Sequence, residues 1–370
     1  MDRVLILANH YNTLRIFRRE LICNLSKRHE VYIVIPPCDD DNKKILESYG
    51  AEIQFVQMER RGMNPIEDVA LLLDYNSIIK QIRPDKVITY TIKCNIYGAI
   101  VCKWRKIPCY VNITGLGSAF QNDGPTRKLV SLLYKISLNK AKRIFFENVG
   151  NRDTLVNDKI VKLEQTIVMP GAGVNLREFS ACEYPPEKEP IRFLFVGRIM
   201  KEKGVDELFY SIQKIKGKYE NVCFDFIGWY EDDYKPIVED LQDKGYVSFY
   251  GFQSDVRPFI KKAHCIVLPS YHEGMSNTLL EGAAMCRPLI TSNIHGCMEA
   301  VQNGRTGYLA EVKNADSLYE KMVEFIELPY EQKEKMGLNG RNYMKKNFDK
   351  NSVVDMTLKA IFSSYKETAD

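Results

Sequence analysis

No apolar run in this 370-residue chain is long enough to span a bilayer, so any membrane contact is expected to be peripheral. The N-terminus lacks the long apolar core and small-residue cleavage site of a secretory leader, and Val4–Ala8 reads as a strand instead. Cys-x-x-Cys is absent, although cysteines stand at 23, 38, 94, 102, 109, 182, 223, 265, 286 and 297. Several sit in apolar runs such as Val222-Cys-Phe, which suits reduced, buried thiols in a cytoplasmic protein and argues against a disulfide framework. The histidines show no metal-ligand spacing, so no metal and no cofactor are expected.

What is present is an ordinary soluble composition, 45% apolar and 27% charged, with its charge unevenly distributed. Residues 1–180 carry 27 Lys+Arg against 19 Asp+Glu, and the remainder 25 against 29. A basic first half beside an acidic second half implies that only the first meets something anionic.

Short β-branched runs alternate with amphipathic stretches almost throughout, the pattern of parallel, doubly wound sheets. Strands are expected at 4–8, 31–36, 53–56, 87–90, 110–113, 144–146 and 167–169, with helices at 14–28, 68–82 and 127–142. The proline-rich 181–190 reads as a linker. Beyond it strands recur at 191–196, 222–227, 247–250, 266–269, 288–292 and 307–310. The expectation is an α/β protein of two Rossmann-like domains, 1–180 and 181–351, with an interdomain cleft. A last helix over 353–366, within 352–370, would cross back onto the first domain. Ligands of such sheets bind beyond the carboxyl ends of the strands.

Two segments carry chemistry. Gly197-Arg198 through Lys203-Gly204 sets two cations at a strand-to-helix turn, where a helix N-terminus already favours anions. That pair suits a diphosphate without a metal; the plainer reading is a solvated charged loop. Glu273-x(7)-Glu281 sets two carboxylates around a helix start, suited to sugar and ribose hydroxyls. Thr278-Leu-Leu-Glu281 also matches a helix capping box, a structural alternative for Glu281. Glu273 precedes the helix beside Gly274, where backbone can approach a ligand.

These segments resemble the family-four retaining glycosyltransferases of GT-B fold. Further matching segments are Gly251-Phe-x(3)-Val256, Gly296-x(2)-Glu299, Asn303-Gly-x(2)-Gly307 and Gly171-Ala-Gly173. The first half is similar to the bacterial capsule and O-antigen subgroup, through Thr91-Ile-Lys93-Cys-Asn95-Ile-Tyr97-Gly98, Asn112–Phe120 and Phe146-Glu-Asn148. The resemblance implies a UDP-sugar donor and a lipid-linked (undecaprenyl-diphosphate) glycan acceptor. Arg198 and Lys203 would hold the donor diphosphate, Glu273 the sugar hydroxyls and Glu281 the ribose. Backbone at Gly274, Met275 and Ser276 would line sugar and phosphate. Gly197 would open the diphosphate-binding turn, backbone around Val247–Gly251 would meet the base, and Gly171–Gly173 would complete the cleft near the hinge.

Many family members carry a histidine where this chain reads Asn112-Ile-Thr114-Gly115. Backbone at Gly115 and Gly117, or Lys93, is the expected substitute. His10, Asn95 and Asn148 complete the acceptor-side candidates; a solvated loop position is the alternative for His10. Asp39-Asp40-Asp41 resembles a metal-binding Asp-x-Asp but reads as a helix cap. Gly115-x-Gly117-x-x-Phe120 lacks the last glycine of a dinucleotide fingerprint.

Residues 127–143 alternate cations with apolar positions at helical spacing, near Trp104 and its flanking cations. Such a helix can rest on an anionic membrane surface; the alternative is that its Leu/Ile face simply packs on the sheet. Nucleic acid is not an expected partner. The expected activity is metal-independent, retaining hexosyl transfer at the inner face of a cell membrane. A UDP-sugar epimerase, a sugar phosphorylase, transfer to a soluble acceptor and a non-catalytic nucleotide-sugar sensor are the alternatives.

Overall fold

A computed structural model describes residues 1–59, 64–117, 120 and 124–362. The chain divides into two compact units, 1–172 with 351–370, and 173–350. The first is built on a parallel sheet of β1 (Arg3–Leu7), β2 (Glu30–Ile35), β3 (Ala51–Phe55), β4 (Lys86–Tyr90), β5 (Cys109–Ile113), β6 (Arg143–Phe146) and β7 (Thr166–Val168). Their order across the sheet is β3-β2-β1-β4-β5-β6-β7. The second holds β8 (Ile191–Val196), β9 (Val222–Ile227), β10 (Val247–Phe249), β11 (Cys265–Leu268), β12 (Leu289–Ser292) and β13 (Gly307–Ala310). Here the order is β10-β9-β8-β11-β12-β13, again parallel. Every strand expected from an apolar run is present. Sheets covered on both faces demand such runs, because neither strand face meets water.

In the first unit, α4 (Pro65–Ile82), α5 (Ala99–Arg105) and α6 (Pro125–Leu138) share one apolar cluster with one sheet face. The other face is covered by α1 (Tyr11–Phe17), α2 (Arg19–Ser26), α3 (Asp40–Glu47) and, from the far end of the chain, α14 (Lys350–Phe362). Val353, Val354 and Ile361 of α14 are buried in that cluster, and the Tyr110 hydroxyl donates to Ile361 O at 2.9 Å. Helix α14 thus packs on the first unit's sheet; residues 363–370 lie outside the described residues. The Asp39 carboxylate accepts from the Asn42 amide at 2.9 Å, so the aspartate run caps α3.

Two expectations are corrected. The single helix over 14–28 is two, because Arg18 leaves helical geometry at φ −127°, ψ 9°. Its guanidinium turns in to pair with Glu147 at 2.8 Å and lies 4.9 Å above the Tyr90 ring. The proline-rich 181–190 is also no free linker. Tyr184 is buried and donates to His264 O at 2.9 Å, and Arg287 donates to Glu183 O at 2.8 Å. The chain leaves the first unit at Ala172, earlier than the composition change suggests.

Candidate active site

In the second unit the chemistry gathers where β8 and β11 end. After β8 the chain passes Gly197 and Arg198 into a 3-10 turn, Lys201–Lys203, and then into α8 (Val205–Lys216). Gly204 joins the turn to α8 at φ +69°. A Cβ there would lie 2.0 Å from Pro269 O, so only glycine lets this turn close against the end of β11. The two loops are then fastened together. Tyr271 N donates to Glu202 O at 2.8 Å, and the Tyr271 hydroxyl donates to the Glu207 carboxylate at 2.7 Å.

That closure sets Lys203 against Glu273. Lys203 Nζ donates to Glu273 Oε1 in a short ion pair, and Ser270 Oγ donates to the same oxygen at 2.9 Å. The Arg198 guanidinium lies 3.6 Å from Glu231 Oε1. Both expected cations therefore face carboxylates. The Gly228 amide, after β9, donates to Gly251 O at 2.9 Å, which places Gly251 in the adjoining loop.

Glu273 and Gly274 lead into α11 (Asn277–Ala284), whose N-cap is Ser276. Thr278 is inside the helix and donates from Oγ1 to Val196 O at 3.2 Å, so the Thr278–Glu281 capping box does not form. Glu281 is half-buried. Desolvation pushes its carboxyl from 4.5 up to about 8, against the pull of Lys350. Met275 buries its side chain in the core. The Ser276 amide donates to Gly296 O at 2.9 Å. Gly296 in turn donates to Glu299 Oε2 at 2.6 Å.

Ser270, Glu231, Gly296 and Glu299 were not among the expected site residues. Gly296 and Glu299 stand inside a segment matched above, Gly296-x(2)-Glu299, and Ser270 lies three residues before Glu273. Glu231 had no signal in the sequence.

The first-unit candidates all follow strand carboxyl ends. His10 follows β1 and caps α1, its Nδ1 accepting from Asn12 N at 3.1 Å. Lys93 follows β4 and pairs with Asp68 at 2.9 Å. Asn95 is buried and holds β4 to β5, accepting from Thr89 Oγ1 at 2.8 Å and donating to Asn112 O at 2.9 Å. Asn148 follows β6 and caps α7 (Val149–Asn157), accepting from Asn151 N at 2.7 Å. These contacts give Asn95 and Asn148 structural work within the first unit. Gly115 and Gly117 follow β5, and Gly117 takes φ +70°; residues 118 and 119 of that loop lie outside the described set. Gly171 and Gly173 follow β7, at φ +62° and +69°.

Residues 3–148 match the family model described as glycosyl transferase 4-like, and residues 177–343 the one described as glycosyl transferases group 1. The chain is 27% identical, over 84% of its length and 86% of the relative's, to N,N'-diacetylbacillosaminyl-diphospho-undecaprenol alpha-1,3-N-acetylgalactosaminyltransferase of Campylobacter jejuni.

The chain is a glycosyltransferase of GT-B fold.

This glycosyltransferase is also 29% identical, over 73% of either chain, to the Escherichia coli UDP-Gal:alpha-D-GlcNAc-diphosphoundecaprenol alpha-1,3-galactosyltransferase. Its fold resembles that of an Anabaena protein solved with UDP and glucose, at a TM-score of 0.81 over 98% of this chain and all of that one, with 14% identity. Among its described residues no helix is long and apolar enough to cross a membrane.

Proposed function

We propose that this glycosyltransferase moves a hexose or N-acetylhexosamine from a UDP-sugar to an undecaprenyl-diphosphate-linked saccharide, with retention at the anomeric carbon. The observation that carries the reading is the Lys203–Glu273 pair, with Arg198 earlier in the same strand-to-helix loop, at the strand ends of the second unit's sheet. The two cations would take the donor diphosphate from Glu231 and Glu273. Glu273, released from Lys203 and still held by Ser270, would accept from sugar hydroxyls, and Glu281 from the ribose. Gly274 and Met275 would offer backbone, with Gly197 and Gly251 allowing close approach. The names of the Campylobacter and Escherichia relatives supply the acceptor class. A basic first unit suits an anionic membrane surface bearing that acceptor.

Retention follows from substitution on one face. The bond from the anomeric carbon to the phosphate oxygen breaks as the bond to the acceptor oxygen forms. The acceptor hydroxyl's proton passes to the departing phosphate oxygen. Arg198 and Lys203 stabilise the charge that develops there, which is commonly the largest catalytic contribution.

The test is UDP release from a panel of UDP-sugars, with and without the lipid-linked acceptor. Acceptor-dependent release from one sugar, abolished by Glu273→Ala, is expected. Arg198→Ala and Lys203→Ala should each lose roughly ten- to thousandfold in turnover. Near-wild-type turnover in both variants removes these residues from the mechanism. Conversion of the sugar without acceptor makes the protein an epimerase.

A further inference from the structure

Helix α6 has three sectors. Val130, Tyr134 and Leu138 are buried against the sheet. Leu129, Leu132 and Ile136 point away from it, 45%, 54% and 48% exposed. At 100° per residue these three fall within an arc of about 60°. Lys128 and Lys135, both exposed, border that arc on one side. The apolar residues of 129–138 therefore do not all pack on the sheet, and three large ones form an outward stripe.

Helix α5 lies next to α6. Lys103 Nζ donates to Ile136 O at 3.3 Å, and the adjacent Trp104 is 58% exposed. On its other flank Arg105 donates to Asn76 of α4 at 2.9 Å, and α4 leaves Val69 and Leu73 exposed. All three helices cover the same sheet face. From residue 99 to residue 143 the sequence holds nine Lys+Arg and a single carboxylate, Asp123. A contiguous apolar stripe on a soluble protein signals an interaction surface, and the charge around this one selects an anionic partner.

We infer that the outer face of α5 and α6 docks on an anionic lipid bilayer, with Trp104, Leu129, Leu132 and Ile136 entering the headgroup region and the lysines meeting lipid phosphates. Trp and Leu on one side with Lys beside them is the composition of an interfacial helix, and lysines near a negative surface add to the attraction. The inference rests on the reading of a lipid-linked acceptor, for which it supplies the face that meets the membrane.

The experiment sediments the full chain with phosphatidylcholine vesicles and with phosphatidylglycerol-rich vesicles. Only the second should bind. The triple change Leu129→Ser, Leu132→Ser, Ile136→Ser should cost at least tenfold in vesicle affinity, with UDP binding and the circular dichroism spectrum unchanged. Lys103→Glu, Lys128→Glu and Lys135→Glu should each cost roughly fivefold at low salt. The chain has two tryptophans, so in Trp229→Phe the emission reports Trp104 alone. That emission should move to the blue with anionic vesicles. Equal binding by the serine variant, an unmoved Trp104 emission, or a dimer that the serine changes dissolve would each overturn the inference. UDP release with detergent-dispersed acceptor reads transfer separately. Its absence would sink the proposed transfer while leaving the docking result to stand or fall alone.

Discussion

At the scale of single residues, the candidate site is a set of paired charges. Lys203 faces Glu273 and Arg198 faces Glu231, which keeps two partly buried cations compensated. Glu281 lacks comparable compensation, since burial outweighs Lys350 and raises its carboxyl to about 8. A carboxyl whose folded pKa exceeds its unfolded value contributes stability below about pH 4.5. That contribution is lost as pH rises through about 8. Removing the ionisation should remove the loss. Glu281→Gln is expected to stabilise the ligand-free protein at pH 8 by about 1–2 kcal/mol, less than a wholly buried carboxylate would return. It should leave stability near pH 4 unchanged and weaken UDP binding. Thermal melts across pH, with and without UDP, read all three effects. A parallel shift at every pH would mean that packing, not ionisation, separates the two side chains.

At the scale of elements, the site depends on one loop being braced from behind. Gly296 accepts the Ser276 amide and is fixed by Glu299, at φ +91°. A Cβ on it would come within 2.6 Å of Glu273 O and 2.7 Å of Gly274 O. Gly296→Ala should therefore push the Glu273 loop away from Lys203. Turnover should fall at least tenfold, because misplacement by about 1 Å costs about a hundredfold. Overall stability should drop by only about 1–3 kcal/mol. Comparing kcat with the unfolding midpoint decides it, since a variant that unfolds in proportion to its lost activity would show a general defect. The same bracing explains what could be read from the sequence. The strands were legible because parallel sheets covered on both faces leave uninterrupted apolar runs. Arg198, Lys203, Glu273 and Glu281 were legible because short turns bind each pair locally to a strand end or a helix start. Glu231 was not, since it reaches Arg198 only because β9 lies beside β8 in the sheet. Nor was the break at Arg18, whose cause is Glu147 on a distant strand end. The outward stripe of α6 was hidden for a different reason. Periodicity shows that a helix is apolar on one side, while three further leucines and isoleucines could equally have widened the buried face.

At the scale of the whole molecule, the first unit is not continuous in sequence. Its sheet is completed by α14, which the chain reaches only after the entire second unit has been made. Val353, Val354 and Ile361 are buried beside Val4, Ile6 and Ile33, and Tyr110 binds the backbone of Ile361. At about 1.5–3 kcal/mol for each buried side chain, α14 contributes roughly 5–9 kcal/mol to the first unit. That is comparable with the whole stability of an ordinary domain. Deleting 351–370 should therefore unfold the first unit and leave the second intact. Ile361→Ala should cost a milder 2–4 kcal/mol or so. The two units should then melt separately, with the lower transition moved by Ile361→Ala. UDP, if it binds the second unit as proposed, should raise only the upper one. Calorimetry of the full-length variant with and without UDP distinguishes the cases. A single transition that both perturbations move would mean that the units unfold as one, and that α14 stabilises the molecule rather than the first unit.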